Sequence, residues 1–375
     1  MRLTSLSLRR FRNLGVQDLE IPHEGVALVG DNAQGKSSFL EAIYYLETFR
    51  SFRGARDEQL VAFGEDVFRI GGTVQSGGEV GSSVSEITAA FARDGKRKKV
   101  TVDGVEPDRL GDAIGGLAAV IFSPADIELV GGGPAERRRF LDILLSLNEP
   151  GYLSALQEYR RVLARRNASL KGRAPRSVVT AWNDGLVRSG ARVVAARVAW
   201  VEASSAPFDE CYATISGEAG ANMTYSSSVK LEGARSVSDI EAAFRTALER
   251  SADREHRKAV TVVGPHRDDV RLRLAGDGEG LSLRSYGSGG QRRTAALALR
   301  LVEARTIQER RGTEPLMLFD DVFAELDTGR SERVLELMDS TRVGQVVLTA
   351  PKASDVRVRA EVLPRWHVEG GRIET

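Results

Sequence analysis

The sequence predicts an α/β protein that has a β-rich N-terminal part and an inserted, mainly helical lobe. Alternating or continuous apolar strand patterns dominate the first third. Apolar residues at three- and four-residue spacing fill residues 135–250, and strand patterns return after them. We therefore expect residues 1–122 and 259–375 to form one lobe, with residues 123–258 as the insertion. Linkers rich in proline or glycine do not bound the insertion, so we expect a packed lobe rather than a tethered domain.

Each element follows from a local pattern. Residues 2–11 alternate, residues 26–29 and 117–122 are short apolar runs, and Asp94-Gly95 is a hairpin signal between two alternating runs. The remaining predicted elements are strands at 67–74, 86–92 and 96–102, helices at 137–147, 153–170, 179–203 and 239–250, strands at 259–263, 270–274 and 281–284, a helix at 291–311, and strands at 316–319 and 345–349 with a helix between them.

The composition narrows the function classes. Lys+Arg 53 against Asp+Glu 52 excludes a globally basic nucleic-acid binder but allows a local basic patch. The single cysteine, Cys211, cannot form an internal disulfide, which suits a reducing cytoplasm, where we expect the protein. Four scattered histidines do not predict a zinc cluster. The chain does not contain the roughly 18 consecutive apolar residues of a membrane helix, so we expect no membrane partner.

The strongest motif fits the phosphate-loop pattern GxxxxGK[ST] at every fixed position. An apolar strand precedes it and a helix pattern follows it. Glycines allow backbone N–H groups to turn toward phosphate oxygens, and the free N–H groups at the start of the following helix favour an anion. The predicted nucleotide-binding residues are Gly30, Asp31, Asn32, Ala33, Gln34, Gly35, Lys36, Ser37 and Ser38. Lys36 would reach the β and γ phosphates, so the motif predicts binding of ATP.

Two carboxylates end the apolar run 316–319. A buried acid pair requires a compensating cation or proton, and Mg²⁺ is the cation that accompanies a nucleoside triphosphate. We assign Asp320, together with Ser37, to Mg²⁺ and Asp321 to polarising the attacking water.

A third motif, Ser288-Gly289-Gly290-Gln291, opens the predicted helix 291–311, with Ser288 as a plausible N-cap. It resembles the signature motif of ABC-type ATPases, in which these residues contact the γ-phosphate held by the opposite subunit. The resemblance implies that Ser288, Gly289, Gly290 and Gln291 bind nucleotide and that Ser288 has a catalytic role beside Lys36 and Asp321. The alternative is a solvent-exposed loop that only caps a helix. Residues 324–327 are similar to the D-loop of the same superfamily.

The spacing and further blocks resemble one family within this superfamily. Lys36 and Ser288 are 252 positions apart, more than in a transporter ATPase, and the heptads of a long SMC coiled coil are not seen. The blocks 8–14, 122–130, 132–142 and 264–269 resemble the RecF family of bacterial recombination mediators, over essentially the whole chain.

The RecF resemblance implies an ABC-type ATPase head that dimerises around two ATP–Mg²⁺ and closes on DNA. It implies a role in repair of gapped DNA, replication and the SOS response. The implied partners are single- and double-stranded DNA, RecO and RecR, and indirectly RecA.

Three departures from the ABC pattern predict slow hydrolysis. The last strand offers Thr349 and not a histidine, Asp321 stands in place of the catalytic glutamate, and a clear Q-loop glutamine does not follow residues 120–122. ATP would then act as a clamp more than as a fuel.

Two local features each leave two interpretations open. Arg12-Asn13 resembles the base- and ribose-side residues of SMC-like heads, or Asn13 stabilises a turn. His266 and Arg267, in residues 265–269, have either a functional or a structural role. We favour the structural role, an internally paired loop with Arg267 on Asp268 or Asp269 that braces the helical lobe.

A basic segment predicts the DNA surface. Residues 136–176 contain ten cationic and four acidic side chains, and pairs spaced by four residues share a helix face. Few aromatics accompany them, which favours sequence-independent contact with phosphates over base stacking. The alternative is a solvated helix face. The predicted DNA-binding residues are Arg137, Arg138, Arg161, Arg165, Arg188 and Arg192, with residues 96–99 as a second basic candidate.

Two rival functions are weighed against this interpretation. One is a binding module whose fold is merely stabilised by nucleotide, and the other is a different SMC-like ATPase. ATP-induced dimerisation that depends on Ser288 separates the first rival from the ATPase clamp.

Overall fold

A computed structural model describes residues 1–77, 83–217, 220–276, 278, 280–340, 344–356, 358 and 361–375, and only the backbone of residues 324, 325, 339 and 340. Its residues fall into two units: Met1–Asp126 with Leu299–Thr375, and Ile127–Ala298. Within the described ranges, the structure contains no helix long and apolar enough to cross a membrane.

The strands and helices of the described residues follow one another in this order: β1 Arg2–Phe11, β2 Leu14–Glu20, β3 Gly25–Val29, α1 Lys36–Thr48, β4 Val67–Ser76, β5 Ser83–Ala92, β6 Arg97–Val102, α2 Leu110–Ala113, β7 Ala119–Phe122, α3 Ile127–Gly131, α4 Pro134–Asn148, α5 Tyr152–Lys171, α6 Arg176–Thr180, α7 Asn183–Ser216, β8 Ala221–Ser226, α8 Val237–Lys258, β9 Asp269–Leu274, β10 Leu281–Ser282, α9 Leu283–Tyr286, α10 Gly289–Arg311, β11 Leu316–Phe319, α11 Thr328–Ser340, β12 Val346–Ala350, β13 Arg365–Glu369 and β14 Arg372–Glu374.

A six-stranded sheet of the first unit has the order β14-β13-β3-β12-β11-β7. Its strands pair in parallel, except that β14 runs antiparallel to β13. The four residues of β7 and of β11 are all buried, as expected for strands covered on both faces. Because parallel strands end at the same edge, the segments that follow β3, β11 and β12 meet there.

A five-stranded antiparallel sheet, β2-β1-β4-β5-β6, completes the first unit. Nearly every residue of α1 is buried, because this helix contacts β1, β4 and β5 of the antiparallel sheet and β7 and β12 of the six-stranded sheet. One apolar core therefore joins α1 and both sheets. Phe68 packs edge to face against both Phe11 and Tyr45 within it, and this core fixes the position of the loop before α1.

The second unit is built around α5, α7 and α8, whose buried apolar residues contribute to two clusters. Helix α7 extends well past the predicted residue 203 and contains Pro207. Proline inside a helix costs about 3 kcal/mol. The burial of Phe208, Tyr212 and Ile215 after it compensates, so the helix continues to Ser216.

The structure differs from the sequence prediction at the C-terminal end of the insertion. Strand β8 was expected to be helical, but it pairs with β9 in the three-stranded sheet β10-β9-β8. This pairing keeps the chain after residue 258 in the second unit, which runs to Ala298. The sequence had predicted that residues 259–298 belong to the first lobe.

Residues 259–263, predicted as a strand, are irregular. Side chains satisfy their backbone in place of a strand partner: Asn167 accepts from the N–H of Thr261 at 2.8 Å, and Glu255 accepts from the N–H of Val262 at 2.9 Å.

Candidate functional site

The loop between β3 and α1 has the backbone that its glycines predict. Gly30 and Gly35 have φ values of 157° and 120°. The glycine is required at position 30, because a Cβ there would lie 2.3 Å from the carbonyl oxygen of Val368. The Lys36 Nζ donates to the carbonyl oxygens of Gly30 at 2.6 Å and Asp31 at 2.9 Å, which holds its charge across the loop.

The start of α1 presents an anion-binding terminus. Gly35 is its N-cap and offers no side chain, so a side chain does not cap the first N–H groups of the helix. Acidic residues are also absent from the first turn, where they would repel a phosphate. The N–H groups and the helix dipole together favour a phosphate at this end of α1.

The acid pair lies beside this loop. Asp320 follows β11, and its Oδ1 accepts a hydrogen bond from the Ser37 Oγ at 2.7 Å. Asp321 adopts a left-handed backbone with φ 51°, which is uncommon for a residue other than glycine. The structure therefore brings Ser37 and Asp320, 283 positions apart, into direct contact.

Thr349, near the end of β12, links both carboxylates. Its Oγ1 accepts from the N–H of Asp321 at 2.9 Å and lies 3.3 Å and 3.1 Å from the Oδ1 atoms of Asp320 and Asp321. The hydroxyl of Thr349 thus contacts the acid pair from the strand on which an ABC transporter ATPase would carry a histidine.

The surroundings of Asp320 disfavour its charge. Burial is the main cause that raises the pKa of Asp320 above its ordinary value; the hydrogen bond from Ser37 opposes this shift and the charge of Asp321 adds to it. A divalent cation would stabilise the ionised form. Hydroxyl and carboxylate oxygens are the hard ligands that Mg²⁺ prefers, so Ser37 and Asp320 fit Mg²⁺.

Arg12 and Asn13 brace the site. The Arg12 guanidinium forms two hydrogen bonds to the carboxylate of Glu41, at 2.8 Å and 3.0 Å, and Glu41 is fully buried. The Asn13 Nδ2 donates to the carbonyl oxygen of Ala33 at 3.3 Å, and its Oδ1 accepts from the Ser38 Oγ at 2.8 Å. Asn13 thus bonds to the phosphate loop and to α1, beyond the turn that it was expected to stabilise; a contact of Arg12 and Asn13 with the base and ribose stays a prediction.

The signature-like motif begins α10. The Ser288 Oγ accepts from the N–H of Gln291 at 3.2 Å, and the Gln291 Oε1 accepts from the N–H of Ser288 at 2.9 Å, which is a reciprocal capping arrangement. Ser288 and Gly289 are exposed. The predicted N-cap is therefore confirmed.

The D-loop-like segment is described only in part, because the side chains of Ala324 and Glu325 lie outside the described residues. Asp327 accepts from the N–H of Arg330 at 2.9 Å and so caps the first turn of α11.

Comparisons with known proteins agree with this geometry. The family described as the RecF/RecN/SMC N terminal domain matches residues 2–371. A curated relative from Salinibacter ruber, named DNA replication and repair protein RecF, is 35% identical over 98% of this chain and 89% of its own length. A relative of the same name from Chloroflexus aggregans is 37% identical over 100% of this chain and 99% of its own. The chain belongs to the RecF family.

Solved structures extend this result. One, described as the recombination mediator protein RecF with ATP in the RecFOR pathway, has a TM-score of 0.89 and 30% identity over 99% of this chain and 96% of its own. An Smc head domain from Pyrococcus furiosus has a TM-score of 0.53 and 18% identity over 99% of this chain and 95% of its own, which supports the fold alone. The fold is that of an SMC- and ABC-like ATPase, as the motifs predicted.

The predicted DNA face needs a correction. Arg137 is buried and donates to both carboxylate oxygens of Asp269, at 2.7 Å and 3.0 Å, so it does not belong to an open surface. Arg138 is half-buried and donates to the carbonyl oxygen of Asp268 at 2.8 Å. Burial of Arg138 also lowers its pKa.

The other four predicted arginines are exposed on α5 and α7. Arg161 pairs with Glu158 on its own helix at 2.6 Å, and Arg165 lies over the Trp182 ring at 5.7 Å. Arg188 and Arg192 form no ion pair with any of the residues that the structure describes. Of the wider basic segment, Arg166 is buried against Glu255 at 2.7 Å.

The second basic candidate divides into two pairs. Lys96 and Lys98 form ion pairs with Glu58 and Asp57, each at 2.8 Å. Arg97 and Lys99 are exposed on β6. Lys98 is half-buried and is held by Asp57, whereas the exposed Lys96, Arg97 and Lys99 stay available for DNA, because an exposed ion pair such as Lys96–Glu58 is weak.

The loop 265–269 braces the second unit, but its hydrogen-bond partners differ from those that we expected. Arg267 donates to the carbonyl oxygen of Thr261 at 3.3 Å, so its predicted pairing with Asp268 or Asp269 is wrong. Asp268 is buried and accepts from the hydroxyl of Tyr225 at 2.6 Å and from the N–H of Ser228 at 2.7 Å. His266 contacts the hydroxyl of Tyr159 at 2.6 Å.

Sequence reasoning missed the contacts between the phosphate loop and the C-terminal hairpin β13–β14. The Gln34 Oε1 accepts from the N–H of Gly370 at 2.6 Å, and the Gln34 carbonyl oxygen accepts from the N–H of Gly371 at 3.0 Å. The glycine pair at 370–371 was the available signal, because adjacent glycines mark a tight turn.

Proposed function

We propose that the chain is an ATP-dependent DNA-binding protein of recombinational repair in the cytoplasm. ATP binds the loop Gly30–Ser37, with Lys36 on the β and γ phosphates. The observation that carries the proposal is the 2.7 Å contact between Ser37 and Asp320 at the mouth of this loop. It joins a phosphate site to a Mg²⁺ site, and Mg²⁺ there would neutralise phosphate charge.

Two copies dimerise around ATP. Ser288–Gln291 of one copy faces the γ-phosphate held by the other, and exposure of Ser288 and Gly289 supports this. Asp321 polarises water, and Thr349 orients Asp321. Asp321 stands in place of the longer glutamate, and Thr349 stands in place of the histidine, of other ABC-type ATPases. Hydrolysis is therefore slow and serves as a switch.

The dimer closes on gapped or junction DNA and helps to load RecA onto single strands, with RecO and RecR as partners. The named relatives and the RecFOR pathway of the matching structures support this assignment. Arg138, Arg161, Arg165, Arg188 and Arg192 contact DNA phosphates without reading sequence.

A second candidate is a binding module in which nucleotide only stabilises the fold. The capping hydrogen bonds between Ser288 and Gln291 favour it, because they give both residues a structural role that does not need a second subunit.

Sedimentation with ATP, with ADP and without nucleotide separates the two functions. We expect wild type to dimerise with ATP only, and Lys36→Met and Ser288→Arg to stay monomeric. Equal mass in every condition supports the binding module. Gapped-duplex binding by wild type at several salt concentrations then tests the DNA contact, because each neutralised phosphate adds about 0.9 to the slope of log K against log salt.

A further inference from the structure

The carbonyl oxygens of the phosphate loop accept hydrogen bonds from several parts of the first unit. A loop that turns its N–H groups inward toward phosphate turns carbonyl oxygens outward, and a donor on such a carbonyl fixes the direction of its peptide. Lys36 satisfies the carbonyls of Gly30 and Asp31. The carbonyls of Ala33 and Gln34 have donors from elsewhere in the first unit.

Asn13 holds the first of these carbonyls. It lies in the turn between β1 and β2, and its amide is engaged at both ends, by Ala33 through Nδ2 and by Ser38 through Oδ1. Asn13 also packs closely on the loop, because a Cβ at Gly35 would lie 3.2 Å from its Nδ2. One side chain thus ties the loop to the first turn of α1.

The turn of the C-terminal hairpin holds the second carbonyl. Gly371 donates to the Gln34 main chain at 3.0 Å and Gly370 to its side chain at 2.6 Å. A Cβ at Gly371 would lie 1.9 Å from the carbonyl oxygen of Asn13, so only glycine allows this approach. Gln17 of β2 holds the other side of the hairpin, with bonds of 2.9 Å to Gly371 and 2.7 Å to Ile373.

We infer that Asn13, Gln34 and the Gly370–Gly371 turn are positioning residues of the phosphate site. They keep the carbonyls of Ala33 and Gln34 outward, so the loop has its anion-binding shape before nucleotide arrives. Binding then costs less ordering of the loop. This inference rests on the proposed nucleotide site, and it gives the C-terminal hairpin a part in nucleotide binding.

Two ligands distinguish this role from a contact with the base. Asn13→Ala and Gln34→Ala are compared with wild type for the Kd of ATP and of inorganic tripolyphosphate, both with Mg²⁺. Losing one hydrogen bond corresponds to about a three- to tenfold weaker Kd. We expect the same factor for both ligands, because the defect lies in the phosphate loop. Gln75→Ala is the matched control: its side chain accepts from Arg2 between β1 and β4, and its loss leaves both Kd values unchanged.

A second readout needs no ligand. Hydrogen exchange is followed without nucleotide at two amides that are hydrogen-bonded to the loop: Phe39, which donates to the carbonyl oxygen of Gly35 at 3.0 Å, and Gly371, which donates to that of Gln34 at 3.0 Å. Exchange at both is expected to be faster in both variants than in wild type or Gln75→Ala. A purely structural role lowers melting temperature but leaves the Kd of the folded protein as in wild type.

Each outcome decides the inference. Equal weakening toward both ligands supports it. Weaker ATP binding with unchanged tripolyphosphate binding assigns Asn13 to the nucleoside and overturns it, and so do unchanged Kd values for both variants. Failure of wild type to bind either ligand instead overturns the proposed nucleotide site.

Discussion

Glu47 in α1 is a buried carboxyl with incomplete hydrogen bonding. Its Oε1 accepts from the N–H of Ala119 at 3.1 Å, whereas its Oε2 has no hydrogen-bond partner among the described residues. Burial raises the pKa of Glu47 to about 8 from an ordinary 4.5, against the opposing charge of Arg311. The folded protein therefore holds Glu47 protonated at neutral pH, whereas the unfolded chain ionises it.

This pKa predicts how stability depends on pH. Because the pKa of Glu47 is higher in the folded than in the unfolded protein, the contribution of this group to stability is fully present below pH 4.5. It is lost as the pH rises toward the folded-state pKa of about 8. The contribution of Glu47 to the free energy of unfolding thus falls by about 1.4 kcal/mol per pH unit between about pH 5 and 8. Urea unfolding at several pH values measures it. Glu47→Gln is expected to remove this slope, and an unchanged slope contradicts the assignment.

Thr349 gives a prediction for the chemistry. Thr349→Val keeps the shape but removes the acceptor for the Asp321 N–H and the hydroxyl near both carboxylates. We expect kcat for ATP hydrolysis to fall about tenfold, about 1.4 kcal/mol of transition-state stabilisation, while the Kd of ATP changes less than about twofold. Phosphate release and nucleotide titration measure the two effects. Thr349→Ser keeps the hydroxyl and should behave as wild type; equal loss in both variants indicates a packing role.

Single residues also show how far the site can be predicted from sequence. Gly30–Ser37 and Asp320 carry local signals, because glycine spacing and an acid after a buried strand are readable within a few positions. The bracing partners are different: Asn13 meets Ala33, and Gln34 meets Gly370, only because β-sheet pairing brings distant segments together. Sequence spacing contains no information about such contacts.

At the scale of elements, α4 and α5 separate two kinds of arginine that look alike in sequence. Arg137 of α4 holds Asp269 in the interior of the second unit, whereas Arg161 and Arg165 lie on the exposed face of α5. Removing one partner of a buried pair costs about 3–5 kcal/mol, whereas exposed pairs contribute about 0–1 kcal/mol.

Two variants with opposite expected effects follow. Arg137→Ala should lower the free energy of unfolding by about 3 kcal/mol and leave the salt slope of DNA binding unchanged. Arg161→Ala with Arg165→Ala should change stability by less than about 1 kcal/mol and reduce that slope by about 1–2. Denaturant unfolding and binding to a gapped duplex at several salt concentrations measure both. A reduced slope for Arg137→Ala, or an unchanged one for the double variant, contradicts the corrected DNA face.

Element prediction succeeded where the pattern is local. Strands β1, β7 and β11 and helices α5 and α10 follow the predicted apolar spacing. It failed at β8, whose partner β9 lies beyond the whole of α8, and at residues 259–263, whose backbone is satisfied by Asn167 and Glu255. Both failures have one cause, since long-range partners and not local propensity decide those backbones. For the same reason the second unit ends at Ala298 and not at the predicted residue 258.

At the scale of the whole molecule, the proposed clamp requires two copies. The phosphate loop and acid pair belong to the first unit, and the exposed start of α10 belongs to the second. A two-fold dimer makes two identical sites, each from the loop of one copy and Ser288–Gln291 of the other. In the proposed clamp ATP binds the dimer better than the monomer, so the ATP concentration would set the fraction of dimer.

This arrangement predicts that two defective variants rescue each other. Lys36→Met lacks a working loop and Ser288→Arg lacks a working signature, so neither alone builds a complete site. In a mixed dimer, the loop of Ser288→Arg meets the signature of Lys36→Met, and one of the two sites is intact. Sedimentation of an equimolar mixture with ATP, one variant carrying a fluorophore, should show dimers that are weaker than wild type because one nucleotide bridges them instead of two. Lys36→Met mixed with the double variant Lys36→Met/Ser288→Arg contains no intact site and should stay monomeric. If the first mixture stays monomeric while wild type dimerises, the site is not shared between copies, and ATP must act within each chain.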